Sequence, residues 1–196
     1  MNEEIKKLSD NERIELIAGH LDKIITLLGE DVSREGLVKT PMRAAKALYY
    51  LTSGYRTDAS RTLAEALFEH EGSKIVTVRD IEFYSMCEHH VLPFFGHISI
   101  AYIPDKKIVG LSKLARVVNV CARKLQVQER LTSEVANVIS RTLGAKGVLV
   151  VCDARHMCMM MRGVEKQEST TVTVEYTGLF DSDSTLRREA IEALKH

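Results

Sequence analysis

Lys74-Ile75-Val76-Thr77-Val78-Arg79-Asp80-Ile81-Glu82-Phe83-Tyr84 is the stretch on which the fold turns. It is dense in β-branched and aromatic residues and reads as a strand. Downstream, His97 to Ile103 alternates in part and reads as a second strand, ended by Pro104-Asp105. Gly110-Leu111-Ser112 opens a helix that carries Leu114, Val117, Val118 and Cys121 on one side. A second helix is expected from about Gln128, with Leu131, Val135, Val138, Ile139 and Leu143 at helical spacing and Gly144 and Gly147 closing it. Val148 to Cys152 begins a third strand leading to His156 and Cys158. Ser169 to Tyr176, with alternating Thr and Val, is a fourth. Ser182 to Lys195 is read as a final helix.

Upstream the period changes. Ser9 and Glu12 have the spacing of a capping box, and Ile14, Leu16, Ile17, Leu21, Ile24, Ile25 and Leu28 follow at helical intervals up to Gly29. Thr40-Pro41 starts a second helix that runs through Ala44, Ala45, Leu48 and Leu51 to about Gly54. A short third helix is expected from Thr62 to Phe68. The chain thus divides into an N-terminal helical region, residues 1–70, and a β-β-α-α-β-β unit with a C-terminal helix, residues 71–196. Paired strands predict an α+β architecture, an antiparallel sheet with helices on one face. Four strands leave two open edges, which oligomerisation would cover.

The 196 residues include 27 basic and 27 acidic side chains. Bulk electrostatics therefore point to neither nucleic acid nor an acidic membrane surface. No apolar run is long enough to span a bilayer. Met1-Asn2-Glu3-Glu4 lacks the basic-then-apolar pattern of a secretory signal. The four cysteines are then thiols or metal ligands in a reducing, cytoplasmic setting. Cys121 and Cys152 sit in apolar stretches and read as buried bystanders.

Cys87-Glu88-His89-His90 and His156-Met157-Cys158 carry the chemistry. Thiolate and imidazole are ligands that Zn²⁺ prefers, and three protein ligands plus water make a catalytic rather than a structural site. Cys87 and His90 have a C-x-x-H spacing that a turning chain can close on one ion. In an extended strand His156 and Cys158 would face the same way. The residues alone leave open whether His89 or His90 binds, and whether Cys87 and Cys158 instead form a disulfide. No G-x-x-x-x-G-K-[ST] loop is present.

Five segments together resemble the GTP cyclohydrolase I family. They are Thr40-Pro41-Met42-Arg43-Ala44-Ala45-Lys46, Ser85-Met86-Cys87-Glu88-His89-His90, Gly110-Leu111-Ser112-Lys113, Gln126-Val127-Gln128-Glu129-Arg130-Leu131-Thr132 and Ala154-Arg155-His156-Met157-Cys158. The likeness runs from about Gly29 to Lys195. It implies the tunnelling fold, whose sheets join around a ring into a barrel, and a homodecamer of two stacked pentamers with active sites between subunits. The implied reaction takes GTP and water to 7,8-dihydroneopterin triphosphate and formate, the entry step of pterin and tetrahydrofolate synthesis.

The resemblance also assigns roles. Cys87, His90 and Cys158 would hold Zn²⁺. His156 would be the general acid at the guanine imidazole ring, and His89 would assist. Glu129 would read the base, because a carboxylate offers only acceptors to the N1–H and 2-amino donors of guanine; Gln128 would help. Ser112 would contact the sugar or phosphate, although it could equally be a helix N-cap. Lys113, Arg116 and Arg162 would bind the triphosphate, with Arg43 and Lys46 reaching in from the helical region of a neighbouring subunit. One departure stands out. Where the family often has Thr-Val-Thr-Ser in its last strand, this chain has Thr171-Val172-Thr173-Val174 and loses a hydroxyl. The alternative is a nucleotide-binding protein of the same fold with a structural zinc or a redox disulfide.

Overall fold

The computed structural model describes residues 5, 7–72 and 74–194. Met1–Glu4, read above for a secretory signal, and the expected helix end at Lys195 lie outside the described residues. The chain divides into two compact units, residues 1–52 and 53–196.

The first unit is a pair of packed helices, α1 (Asp10–Leu27) and α2 (Thr40–Leu51). The Ser9–Glu12 capping box forms in both directions, so two otherwise orphaned N–H groups are satisfied at the start of α1. The Tyr49 hydroxyl donates to Asp10 and ties the two helices together.

The second unit opens with a 3₁₀ turn (Ser53–Arg56) and α3 (Ala59–Ala64). The chain then becomes extended as β1 (Leu67–Glu69), where a helix through Phe68 was expected. β1 pairs with β4 (Lys107–Val109) in a small two-stranded sheet, so tertiary pairing overrides a weak helical pattern. The main sheet contains β2 (Val76–Cys87), β3 (Pro93–Ile103), β5 (Leu125–Gln126), β6 (Gly147–His156) and β7 (Thr171–Gly178), in the order β5-β2-β3-β6-β7. The four long strands are antiparallel, as expected. The fifth was not foreseen: β5 is two residues long and runs parallel to the end of β2, which makes the sheet mixed.

α4 (Leu111–Ala122) and α5 (Gln128–Leu143) lie on one face of this sheet. Leu114, Val117, Val118, Leu131, Val135 and Ile139 pack there against Phe83, Ile98, Ile100, Val148 and Val150. Gly144 ends α5 in the left-handed conformation that favours glycine. The last helix differs from expectation. After a turn, α7 (Leu179–Ser182), α8 (Ser184–Leu194) packs with Phe180 on the opposite face, against Ala101, Ile103 and Leu149. Alternation makes this possible: neighbours along β3 and β6 point to opposite faces, and both faces are apolar at that end. Gly96 is required where β3 meets β6, because a Cβ there would come within 1.9 Å of the Asp153 carbonyl oxygen. Among the described residues no helix is long and apolar enough to cross a membrane.

Candidate active site

β2 ends at Cys87, and the chain turns through 88–92 before β3 begins. Two backbone hydrogen bonds close the turn: the Cys87 N–H donates to the Leu92 carbonyl at 2.8 Å, and the Val91 N–H to the Cys87 carbonyl at 2.8 Å. Val91 pays for the tightness with φ of 54°, an uncommon conformation for a β-branched residue. The turn presents Cys87, His89 and His90 at one end of the sheet.

β6 ends at the same place, because His156 is paired with Phe94 across β3 and β6. The strand stops at His156. Cys158 therefore does not share an extended strand with it, as the His-x-Cys spacing had predicted. It lies in α6 (Met157–Met160), a single helical turn. That turn brings Cys158 to the metal-type ligands while leaving His156 to one side. One candidate ligand atom from each of Cys87, His90 and Cys158 lies within 4.8 Å of the others. Cys87 is buried, Cys158 half-buried and His90 exposed, so the cluster is open on one side. The donor set, two thiols and an imidazole, fits zinc, and these three residues would hold it. No disulfide joins the cysteines; all four are free thiols.

Burial pushes the Cys158 thiol up, and the adjacent Cys87 sulfur pushes it further. A cation placed between them would reverse both effects. His89 Nδ1 is 3.8 Å from Cys87 Sγ, and His90 Nδ1 is 4.0 Å away. Both histidines are thus near the thiol, but His90 is the one grouped with both cysteines. Arg162 donates to His90 Nε2 at 3.2 Å.

His156 is held on two sides. Its ring stacks on Phe94 with centroids 4.7 Å apart and planes 2° from parallel. Its Nε2 is 2.8 Å from Gln128 Oε1. The Gln128 amide nitrogen is engaged by the Cys152 carbonyl at 3.0 Å and the Thr171 carbonyl at 2.8 Å. Those acceptors leave the glutamine oxygen facing the histidine, so His156 Nε2 donates and Nδ1 is the nitrogen free to gain or lose a proton. Burial holds the His156 pKa below its usual value, while the Glu129 carboxylate pulls it partly back up.

These residues line one cavity of about 190 Å³, whose walls include Cys87, His89, Gln128, Glu129, His156 and Cys158. Pockets that enclose a whole small-molecule ligand are commonly ~300–1,000 Å³. The hollow in this single chain is smaller than that range. Glu129 stands in the first turn of α5 and is exposed, so its carboxylate is accessible but not yet desolvated.

The other cationic positions are not in this cavity. Lys113 lies in α4, with its ammonium 2.5 Å from Glu65 Oε2. Arg116 lines a separate hollow of about 330 Å³ with Glu65, Asn119 and Arg123. Ser112 is exposed and does not cap α4; Gly110 occupies that position. Arg43 and Lys46 are exposed on α2, three residues apart on one helix face. Val174 is exposed on the last strand, where the departure from the family pattern occurs. Two residues around the site escaped sequence reasoning. Phe94 carried no signal because cross-strand register is not legible in one chain. Arg130, within a quoted motif, gave no sign of what it would touch.

Residues 17–195 match the family model described as GTP cyclohydrolase I. The chain is 54% identical to the GTP cyclohydrolase 1 of Parabacteroides distasonis over 93% of each chain. It is 53% identical to the GTP cyclohydrolase 1 of Leptospira biflexa, over 89% of this chain and 96% of that one. Among solved structures, an archaeosine synthase QueF-Like in the apo form aligns at 14% identity with a TM-score of 0.45, covering 55% of this chain and 97% of the other.

Proposed function

The chain belongs to the GTP cyclohydrolase I family, and on that premise we propose that it converts GTP and water to 7,8-dihydroneopterin triphosphate and formate, the first step of tetrahydrofolate and pterin synthesis. One observation carries the reading: Cys87 and Cys158, which cluster with His90, border the same cavity as His156 and Glu129.

Cys87, His90 and Cys158 are the residues that would hold Zn²⁺. When bound, zinc supplies a Lewis-acid centre and lowers the pKa of water to about 7. Loss of C8 as formate requires two waters to add at that carbon, one of them returned when the new ring closes, and both of its bonds to nitrogen to break, so both nitrogens need protons. His156 is the group for N7: the Phe94 stack and the Gln128 hydrogen bond fix its ring, and Nδ1 is left to deliver the proton. Gln128 then acts on the base through His156. His89 borders the same cavity and would pass the second proton. Glu129 would accept from N1–H and the 2-amino group of guanine. An adenine would leave that carboxylate unpaired, which is worth about 10⁴ or more in discrimination once the site is dry.

The 190 Å³ cavity and the remote Lys113 and Arg116 support completion of the site by other subunits. In this reading residues 71–196 form a tunnelling-fold catalytic domain and assemble as a homodecamer of two stacked pentamers. Residues 1–70 form the helical region that brings Arg43 and Lys46 to a neighbour's triphosphate. Ser112, Lys113, Arg116 and Arg162 complete the sugar and phosphate contacts, with Arginine forks suited to phosphate oxygens. The enzyme works in the cytoplasm, where thiol ligands stay reduced.

The test is turnover of GTP by zinc-loaded protein, with formate assayed beside the fluorescence of oxidised neopterin product. Equal yields of the two are expected. Assembled, zinc-loaded protein that makes neither would overturn the reading.

A further inference from the structure

Glu88 stands between the ligand-type residues in sequence, yet its carboxylate is directed to the other side of the turn. It borders a hollow of about 430 Å³ with Tyr55, Lys124, Leu125, Arg130 and Glu134, separate from the cavity that Cys87 and His89 line. There Arg130 meets three acceptors on three residues. Its Nη2 donates to Glu88 Oε2 and to the Leu125 carbonyl at 3.1 Å, and its Nε donates to Gln126 Oε1 at 2.7 Å.

Gln126 is itself fully buried and anchored. Its amide donates to the Cys121 carbonyl at 3.1 Å and to Glu134 at 3.1 Å. Lys124 donates to the same Glu134 oxygen at 3.0 Å. A backbone bond runs alongside, from the Glu88 N–H to the Gln126 carbonyl at 3.0 Å. The short parallel strand β5 is thus the ledge on which the ligand turn rests, and Arg130 is the bolt.

We propose that Arg130 is a positioning residue, which through Glu88 locks the Cys87–His90 turn to β5 and the start of α5 and thereby sets the metal affinity of the Cys87–His90–Cys158 site. This inference rests on the reading of that cluster as a zinc site. The ion pair is too exposed for its strength to matter to folding, since surface pairs contribute little. Its effect is geometric. The turn already carries a strained Val91, and two of its residues must keep their places relative to Cys158 on a different element. A planar fork can satisfy three acceptors at once; an ammonium on a flexible stem cannot.

Outer contacts of this kind are typically worth 10–100-fold in metal affinity. Zinc dissociation constants would be measured by competition with a chromogenic chelator on wild type, Arg130→Met, Arg130→Lys, Glu88→Gln and the Arg130→Met/Glu88→Gln double variant. Arg130→Met and Glu88→Gln should each weaken zinc at least about tenfold, with Arg130→Lys between them and wild type. The double variant should be no worse than Arg130→Met alone, because that substitution already removes the Glu88 contact. Lys124→Met, which leaves the Arg130 contacts in place, should bind zinc as wild type. Thermal melting of metal-free Glu88→Gln should be unchanged, whereas Arg130→Met also strands the buried Gln126 oxygen and should melt lower. If Arg130→Met does not fold, Arg130→Lys and Glu88→Gln carry the test. Zinc affinity within twofold of wild type in Glu88→Gln and Arg130→Lys would overturn the proposal, as would additive losses in the double variant. Wild-type protein that fails to bind zinc would instead overturn the reading of the site itself.

Discussion

His156 lies flat on Phe94, ring centroids 4.7 Å apart, and the two are directly opposed in neighbouring strands. The sheet itself therefore aims the imidazole. Phe94 is fully buried, so the platform cannot shift without disturbing the core.

Phe94→Leu should keep zinc and cut formate release about two- to tenfold, since an aromatic contact of this kind is worth ~0.5–1.5 kcal/mol beyond its buried area. The variant should also lose about 1–2 kcal/mol of stability from the smaller side chain. Chelator competition, single-turnover formate yield and thermal melting separate the three effects. Unchanged formate release would show that the stack does not aim the ring.

Glu129→Gln should lower the His156 pKa further. Burial already depresses it and the Glu129 charge opposes that depression, so removing the charge leaves burial unopposed. The acid form exists below the pKa, so the alkaline limb of the pH–rate profile should move to lower pH. NMR titration of the His156 ring protons reads the shift directly. A rise in pKa would contradict the assigned sign.

Zinc should bind more tightly as pH rises. The Cys158 thiol is held protonated by burial and by Cys87, so the metal must displace at least one proton. Each displaced proton adds about a tenfold gain in apparent affinity per pH unit. Chelator competition between pH 6 and 8 measures the slope, and proton release on zinc addition gives the count. A flat profile would mean that the thiols bind no metal.

Thiol alkylation should sort the cysteines into two classes. Burial pushes both Cys121 and Cys152 up to about 12, so neither offers thiolate at pH 8. In metal-free protein Cys158 should react first and Cys87 after it, and zinc should protect both. Peptide mapping after a short pulse of iodoacetamide identifies the modified residues. Labelling of Cys152 before Cys158 would contradict the burial pattern.

Much of this was legible in one dimension. Strand and helix periods gave the β-β-α-α-β-β order, and the Ser9–Glu12 box marked a helix start to the residue, because these signals depend on neighbours in the chain. The failures share a cause. β1 and β5 are short segments made into strands by distant partners. α8 chose the second face because both faces of β3 and β6 are apolar at that end. Cys158 left the strand because β6 stops at its pairing with β3.

The residue types at the site, two thiols with histidines beside them and a carboxylate two residues after the Gln126-Val127 pair, were set by the sequence, since ligand chemistry belongs to the side chain whatever surrounds it. Tertiary structure alone decided their geometry. It chose His90 as the histidine grouped with both cysteines, gave His156 its Nε2–H tautomer through Gln128, and placed Arg130 behind the ligand turn. Those outcomes depend on strand register and on angstrom-scale distances between segments up to some seventy residues apart, and no local pattern in the chain encodes such distances.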